Sequence, residues 1–193
     1  MDKELVLILG GARSGKSTFA LSLADGAEGR VVFVATAQPG DEEMRERIAR
    51  HRRERPECWR TIEAPIGAGE AIRSGAADAE VVVLDCLSFL VANVMGEGSD
   101  ASPGVQKEVE GEVEGLLRAF EQGNATFILV SNEVGMGVVP AYASGRLFRD
   151  VLGLANQRLA RAADRVYWMV AGMPIEVKAS GVAARWEDPR GRA

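Results

Sequence analysis

Short, nearly uninterrupted apolar runs recur along the chain at 5–9, 31–35, 81–84, 126–130 and 165–170. A strand that is apolar on both faces has to be covered on both, which is the situation inside a parallel sheet. Between these runs lie stretches whose apolar residues return every three or four positions, at 16–24, 41–55, 67–75, 105–120 and 144–163. The clearest is Val105, Val109, Val113, Leu116, Leu117 and Phe120, the stripe of an amphipathic surface helix. A short strand at 59–63 and a last one at 175–177 complete the pattern, the latter turning back through Gly172-Met173-Pro174 to lie antiparallel on an edge. Strand alternating with helix predicts one α/β domain over residues 1–178, with a mainly parallel sheet flanked by helices. Residues 96–104 form a turn-rich connection, the most mobile interior stretch by composition. Residues 179–193 keep no period and are expected to be a flexible tail.

The first strand runs straight into Gly10-Gly11-Ala12-Arg13-Ser14-Gly15-Lys16-Ser17, and a helix pattern begins at its end. This is G-x-x-x-x-G-K-[ST] in its required strand, loop, helix context. Glycines there let successive backbone N–H groups turn inward around an anion, and the helix aims its positive end at the same point. Lys16 is placed to reach the β- and γ-phosphates, and Ser17 to ligate a bridging Mg2+. The fold class is therefore a single-domain P-loop (RecA-like) α/β fold. A packing turn of the same composition would have no use for the Lys-Ser pair.

Composition narrows the possibilities further. At 193 residues the chain holds one domain of ordinary size, and 47% hydrophobic with 26% charged residues suits a globular core. A net charge of −5 argues against nucleic acid or an anionic membrane surface as the main partner. Cys58 and Cys86 have neither metal-ligand spacing nor a disulfide framework, which fits the reducing cytoplasm. No leader is visible at 5–9, and the longest apolar run, 81–95, is broken by Asp85, Ser88 and Asn93, so no membrane span is expected.

Candidate chemistry gathers at strand ends and on one helix. Asp85 closes the third apolar run, where a carboxylate can ligate magnesium or simply cap the following turn. His51 is the chain's only histidine. At about 100° per residue it shares a helix face with Met44 and Ile48, which taken alone describes a packed, hydrogen-bonded residue. The guanidinium groups of Arg47, Arg50, Arg52, Arg53 and Arg55 change that balance, because they disfavour a further positive charge on an imidazole and can neutralise a triphosphate. They can equally be a solvated face paired with Glu42, Glu43, Glu46 and Glu54. Asn132 and Glu133 follow the fourth run, to contact a phosphate or to shape a loop. Trp59, Trp168 and Trp186 lack the interleaved basic pattern of a base-stacking platform.

These motifs together resemble one family, the bifunctional adenosylcobinamide kinase/adenosylcobinamide-phosphate guanylyltransferases of cobalamin biosynthesis. The resemblance covers residues 5–178. It rests on the loop at 10–17, Val-Ala-Thr-Ala at 34–37, Asp-Glu-Glu-Met at 41–44 and Arg-Ile-Ala-Arg-His at 47–51. It continues through Trp-Arg-Thr-Ile-Glu at 59–63, Ser-Asn-Glu-Val-Gly-Met-Gly-Val-Val-Pro at 131–140, Phe-Arg-Asp at 148–150 and Asn-Gln-Arg-Leu-Ala at 156–160. The loop alone is shared by very many proteins, whereas the ordered set is specific. The resemblance implies that His51 carries GMP as a covalent phosphoramidate; the other catalytic group, Lys16, comes from the loop motif itself. It also implies that Thr36, Ala37, Gln38, Arg52, Arg53, Glu54, Arg55, Glu63 and Asp85 lie along the nucleotide site. A carboxylate such as Glu63 accepts from N1 and the exocyclic amine of guanine, which adenine does not match. The implied substrates are ATP or GTP with Mg2+ and a corrinoid, and the implied assembly is a homo-oligomer, a trimer by analogy. Two readings compete. One is a single-function P-loop kinase with a structural His51; the other is a RecA-like ATPase or nucleotide switch, although a single acidic domain leaves a switch little to move or grip.

Overall fold

The computed structural model describes residues 3–25, 30–96 and 104–179. Most of the connection at 96–104 and nearly all of the tail at 179–193 lie outside the described residues. The strands are β1 Leu5–Gly10, β2 Val31–Ala35, β3 Arg60–Glu63, β4 Val81–Asp85, β5 Thr126–Val130, β6 Arg165–Val170 and β7 Met173–Lys178. They form one sheet in the order β3-β2-β4-β5-β1-β6-β7, parallel throughout except for the antiparallel pair β6 and β7. The helices are α1 Lys16–Asp25, α2 Glu42–Arg53, α3 Ala68–Gly75, α4 Leu87–Met95, α5 Val105–Gln122 and α6 Ala143–Ala162. This is the mainly parallel α/β fold with an antiparallel edge that the pattern predicts.

Alternation along the strands explains why their runs are apolar throughout. Leu5, Leu7, Val32, Val34, Val82, Leu84, Phe127 and Leu129 point to one face, under α3, α4, α5 and α6. Val6, Ile8, Phe33, Val83, Ile128, Val130 and Tyr167 point to the other, where Ala20 and Ala24 of α1 pack on them. On that second face α1 is the helix that supplies buried residues, and none of α2 is buried. The sheet is thus roofed tightly beside β1 and loosely beside β2.

Register brings the strand ends level. Ile8 pairs with Val130, Val130 with Asp85, and Asp85 with Ala35. The loops that leave β1, β5, β4 and β2 therefore open onto one rim, where ligands sit in open parallel sheets. β5 lies between the strand feeding the glycine loop and the strand ending in Asp85.

Two elements differ from expectation. The pattern gave no helix after Asp85, yet Leu87–Met95 forms α4, with Leu87, Ser88, Leu90, Val91 and Met95 all buried. A helix apolar on nearly every side shows no stripe to read. β7 begins at Met173 rather than 175, because the turn uses only Ala171 and Gly172, at φ 50° and 83°. Two positive-φ residues make a tight hairpin turn whose twist suits the flanking strands, so Met173 pairs with Val170 at once. Among the described residues, no helix is long and apolar enough to cross a membrane.

Candidate functional site

The loop between β1 and α1 is shaped by backbone that only small residues permit. A Cβ on Gly10 would lie 2.7 Å from both the Met169 carbonyl and the Ser14 hydroxyl, and Gly15 sits at φ 94°. Arg13 holds a positive φ of 54°, rare for a residue with a side chain. The Lys16 side chain folds back into the loop, its Nζ donating to the Gly11 carbonyl at 2.6 Å. Burial pulls the Lys16 pKa below its ordinary value, while Asp85 and Cys86 oppose that shift. The Gly11 carbonyl oxygen thus holds a place on the ammonium that a phosphate oxygen can take.

A cavity opens beside this loop. Lys16 and Ser17 close one end, and Thr61 and Glu63 of β3 stand at the other. The strand ends supply Ala35, Ala37, Asp85, Cys86, Val130 and Asn132, with Phe89 of α4 between them. The roof is α2, through Met44, Arg47, Ile48, His51 and Arg52, followed by Arg55. This helix is well specified locally. Asp41 caps it by accepting from the Met44 N–H at 2.7 Å, acids occupy its first turn, and Arg50, His51, Arg52 and Arg53 fill its last, matching the helix dipole.

The stripe of Met44, Ile48 and His51 does turn inward, but it meets a cavity and not the core. His51 is half-buried, and among the described residues no side chain or backbone group hydrogen-bonds its ring. A second opening, between α2 and the phosphate loop, is lined by Arg13, Ser14, Gly15, Glu43, Glu46, Arg50 and Glu54, and it shares Lys16, Ser17, Arg47 and His51 with the first. The imidazole is therefore reachable from both. Arg55 stacks its guanidinium 3.5 Å over the Phe33 ring, contacts the Thr61 hydroxyl at 3.5 Å, and keeps a buried Nε without a partner. Burial lowers its pKa, partly offset by Asp85. Arg47 lies 5.8 Å over Phe89.

The other candidate residues divide. Ala37, Arg52, Arg55, Glu63 and Asp85 line the cavity, and Glu54 lines the second opening. Gln38 is exposed outside the cavity, Arg53 faces neither opening, and Ala12 sits on the exposed outer side of the loop. Thr36 is fully buried, its hydroxyl engaged by the Cys86 backbone. Asn132 reaches the cavity, whereas the Glu133 carboxylate accepts from the Gly135 and Met136 N–H groups and shapes its own loop. Sequence reasoning missed Phe89 and Cys86 as lining residues. Phe89 hides inside a long apolar run, and its orientation depends on the unread α4.

For a magnesium ion, the fit is partial by design. Ser17 and Asp85 offer two oxygens on the cavity wall, and no cluster of three or more His, Cys, Asp or Glu exists among the described residues. Magnesium bound with substrate phosphates needs only one or two protein oxygens, so this donor set suits it.

Comparison with known proteins shows the family. A family model described as cobinamide kinase / cobinamide phosphate guanyltransferase matches residues 6–177. The bifunctional adenosylcobalamin biosynthesis protein CobU of Escherichia coli K12 is 39% identical over 181 residues, covering 90% of this chain and 99% of the relative. The bifunctional adenosylcobalamin biosynthesis protein CobP of Pseudomonas aeruginosa is 41% identical over 172 residues, covering 89% and 96%. CobU of Salmonella typhimurium LT2 is 37% identical over 181 residues, covering 90% and 99%.

Proposed function

The chain belongs to the cobinamide kinase / cobinamide phosphate guanyltransferase family, and from that footing we propose how one rim of its sheet serves both reactions. It is a bifunctional kinase and guanylyltransferase of cobalamin biosynthesis. In the kinase step, the loop at 10–17 holds the triphosphate of ATP or GTP, and Lys16 leaves Gly11 to meet the phosphates. The terminal hydroxyl of the aminopropanol arm of adenosylcobinamide attacks the γ-phosphorus as the bond to the nucleoside diphosphate breaks. Positioning and charge neutralisation carry such a transfer, so Lys16 and the arginines of α2 are its main protein contributors. Ser17 and Asp85 would hold magnesium, which when bound neutralises charge on the phosphate oxygens.

In the transferase step, an imidazole nitrogen of His51 attacks the α-phosphorus of GTP. A nitrogen-phosphorus bond forms and pyrophosphate leaves. A phosphate oxygen of adenosylcobinamide phosphate then attacks the same phosphorus, releasing His51 and giving adenosylcobinamide-GDP by a ping-pong route. Glu63, at the far end of the cavity from Lys16, accepts from the guanine edge, and Arg47, Arg52 and Arg55 neutralise the phosphates between. The observation that carries this reading is that His51, Lys16, Ser17 and Glu63 line one cavity.

The test uses GTP labelled at the α-phosphate. After incubation and denaturation, acid-labile label should remain on the wild-type chain and vanish in His51→Ala, while phosphorylation of adenosylcobinamide survives. Absence of label on the wild type, in a protein that still phosphorylates the corrinoid, would leave a kinase alone. A homo-oligomer is further supported by Met173, Ile175 and Val177, exposed along the edge strand β7, and light scattering measures it directly. A cytoplasmic setting suits the free thiols of Cys58 and Cys86.

A further inference from the structure

The turn between β6 and β7 is far from the phosphate loop in sequence and against it in space. Its Gly172 N–H donates to the Ser14 carbonyl at 3.0 Å. A Cβ on Gly15 would lie 3.2 Å from the Gly172 Cα, and one on Gly10 would lie 2.7 Å from the Met169 carbonyl. Two glycines of the loop are thus required by the hairpin that stands behind them, in addition to any ligand in front.

We propose that Gly172 is a positioning residue for nucleotide binding, fixing the Ser14–Gly15 peptide so that its N–H faces the phosphates. The inference rests on the phosphate-loop reading above. A trans peptide is planar, with its C=O and N–H pointing in opposite directions. Drawing the Ser14 carbonyl toward the hairpin therefore sends the Gly15 N–H away from it, toward the mouth of the loop. Preorganised N–H donors of this kind bind anions without reorganising when the ligand arrives. Gly172 can donate in this direction because its φ is 83°, next to Ala171 at 50°. A Cβ at Gly172 itself would meet nothing within 4 Å. The position therefore demands a backbone conformation and leaves room for a side chain.

That distinction sets the experiment. Binding of a fluorescent methylanthraniloyl-GTP is titrated against the full chain and its variants, with thermal midpoints measured alongside. Gly172→Val, β-branched and averse to positive φ, should bind the probe roughly ten- to a hundredfold more weakly, the loss of one charge-assisted donor. Gly172→Asn tolerates positive φ and keeps the N–H, so it should stay within about threefold of wild type. Glu176→Ala removes the Arg165–Glu176 pair from the same hairpin away from the loop and should leave the affinity unchanged. If Gly172→Val does not fold, Gly172→Ala replaces it. Wild-type affinity in Gly172→Val, equal weakening in Gly172→Asn, or equal weakening in Glu176→Ala would each overturn the proposal. A wild-type chain that does not bind the probe would instead overturn the phosphate-loop reading beneath it.

Discussion

Thr36 and Cys86 close a reciprocal pair of hydrogen bonds across two strand ends. The threonine hydroxyl donates to the Cys86 carbonyl at 2.7 Å and accepts from the Cys86 N–H at 2.8 Å. Asn93 adds a third link, its side-chain amide donating to the Thr36 and Pro65 carbonyls. The clamp fixes the backbone immediately after Asp85 and the segment that carries Ala37. Thr36→Val keeps the shape and strips both bonds, leaving the buried Cys86 N–H unpaired while the Cys86 carbonyl still accepts from the Leu90 N–H at 3.2 Å. The expected cost is about 1 to 3 kcal/mol, read from urea unfolding. Kinase activity should fall as well, because Asp85 loses its anchor. A loss of stability below about 0.5 kcal/mol would show that the clamp is dispensable.

Glu63 offers a direct test of nucleotide choice. Glu63→Gln replaces one acceptor oxygen with a donor, so it can no longer accept from both guanine donors. GTP should bind about tenfold more weakly while ATP is unaffected, measured by competition against a common probe. Equal loss for both nucleotides would place the carboxylate against phosphate-proximal groups and not against the base.

Two glycines at the crossing of α3 and α5 should respond in opposite ways. A Cβ on Gly69 would stand 2.3 Å from the Gly115 carbonyl carbon and oxygen, and backbone cannot yield as a side chain can. Gly69→Ala should therefore destabilise by about 1 to 3 kcal/mol through forced separation of the helices. A Cβ on Gly115 has the Gly69 Cα at 3.9 Å as its neighbour, an ordinary contact. Gly115→Ala should gain up to about 1 kcal/mol from helix propensity. Calorimetric midpoints of the two variants, moving down and up respectively, check the pair.

Thiol titration distinguishes the two cysteines. Cys58 is exposed, whereas Cys86 is buried and burial, with the Asp85 carboxylate beside it, pushes its pKa up to about 11. At pH 8 the Cys86 group is therefore a protonated thiol, a poor nucleophile. An aromatic disulfide reagent should modify Cys58 alone in the native protein and both residues after denaturation. Rapid native reaction at Cys86 would mean that the cavity floor opens far more than its packing indicates.

Much of this architecture is legible in the sequence, for reasons that are local. Leu5 to Ser17 carries strand, turn and helix signals within one short stretch, and the stripe of Met44, Ile48 and His51 fixed a helix face by spacing alone. What spacing could not tell is what that face meets. An inward stripe reads as core until the structure shows a cavity beneath it, since periodicity reports direction and not occupancy. α4 was hidden by the opposite fault, too much hydrophobicity to leave a pattern. The Thr36 clamp and the Gly172 contact join residues distant in sequence, and no local signal encodes such partners. Glu133 looked as suited to a ligand as Asn132, and only the turn that it closes on itself separates the two.

Helix α2 buries none of its residues, although it carries the imidazole and most of the nearby guanidinium groups. Folding free energy drawn from removing side chains from water accordingly owes little to it. A saturating substitution scan along Glu42–Arg53 should leave melting behaviour nearly flat while turnover collapses at particular positions. Under the proposed mechanism, chemistry can be edited on one helix without disturbing the scaffold that presents it.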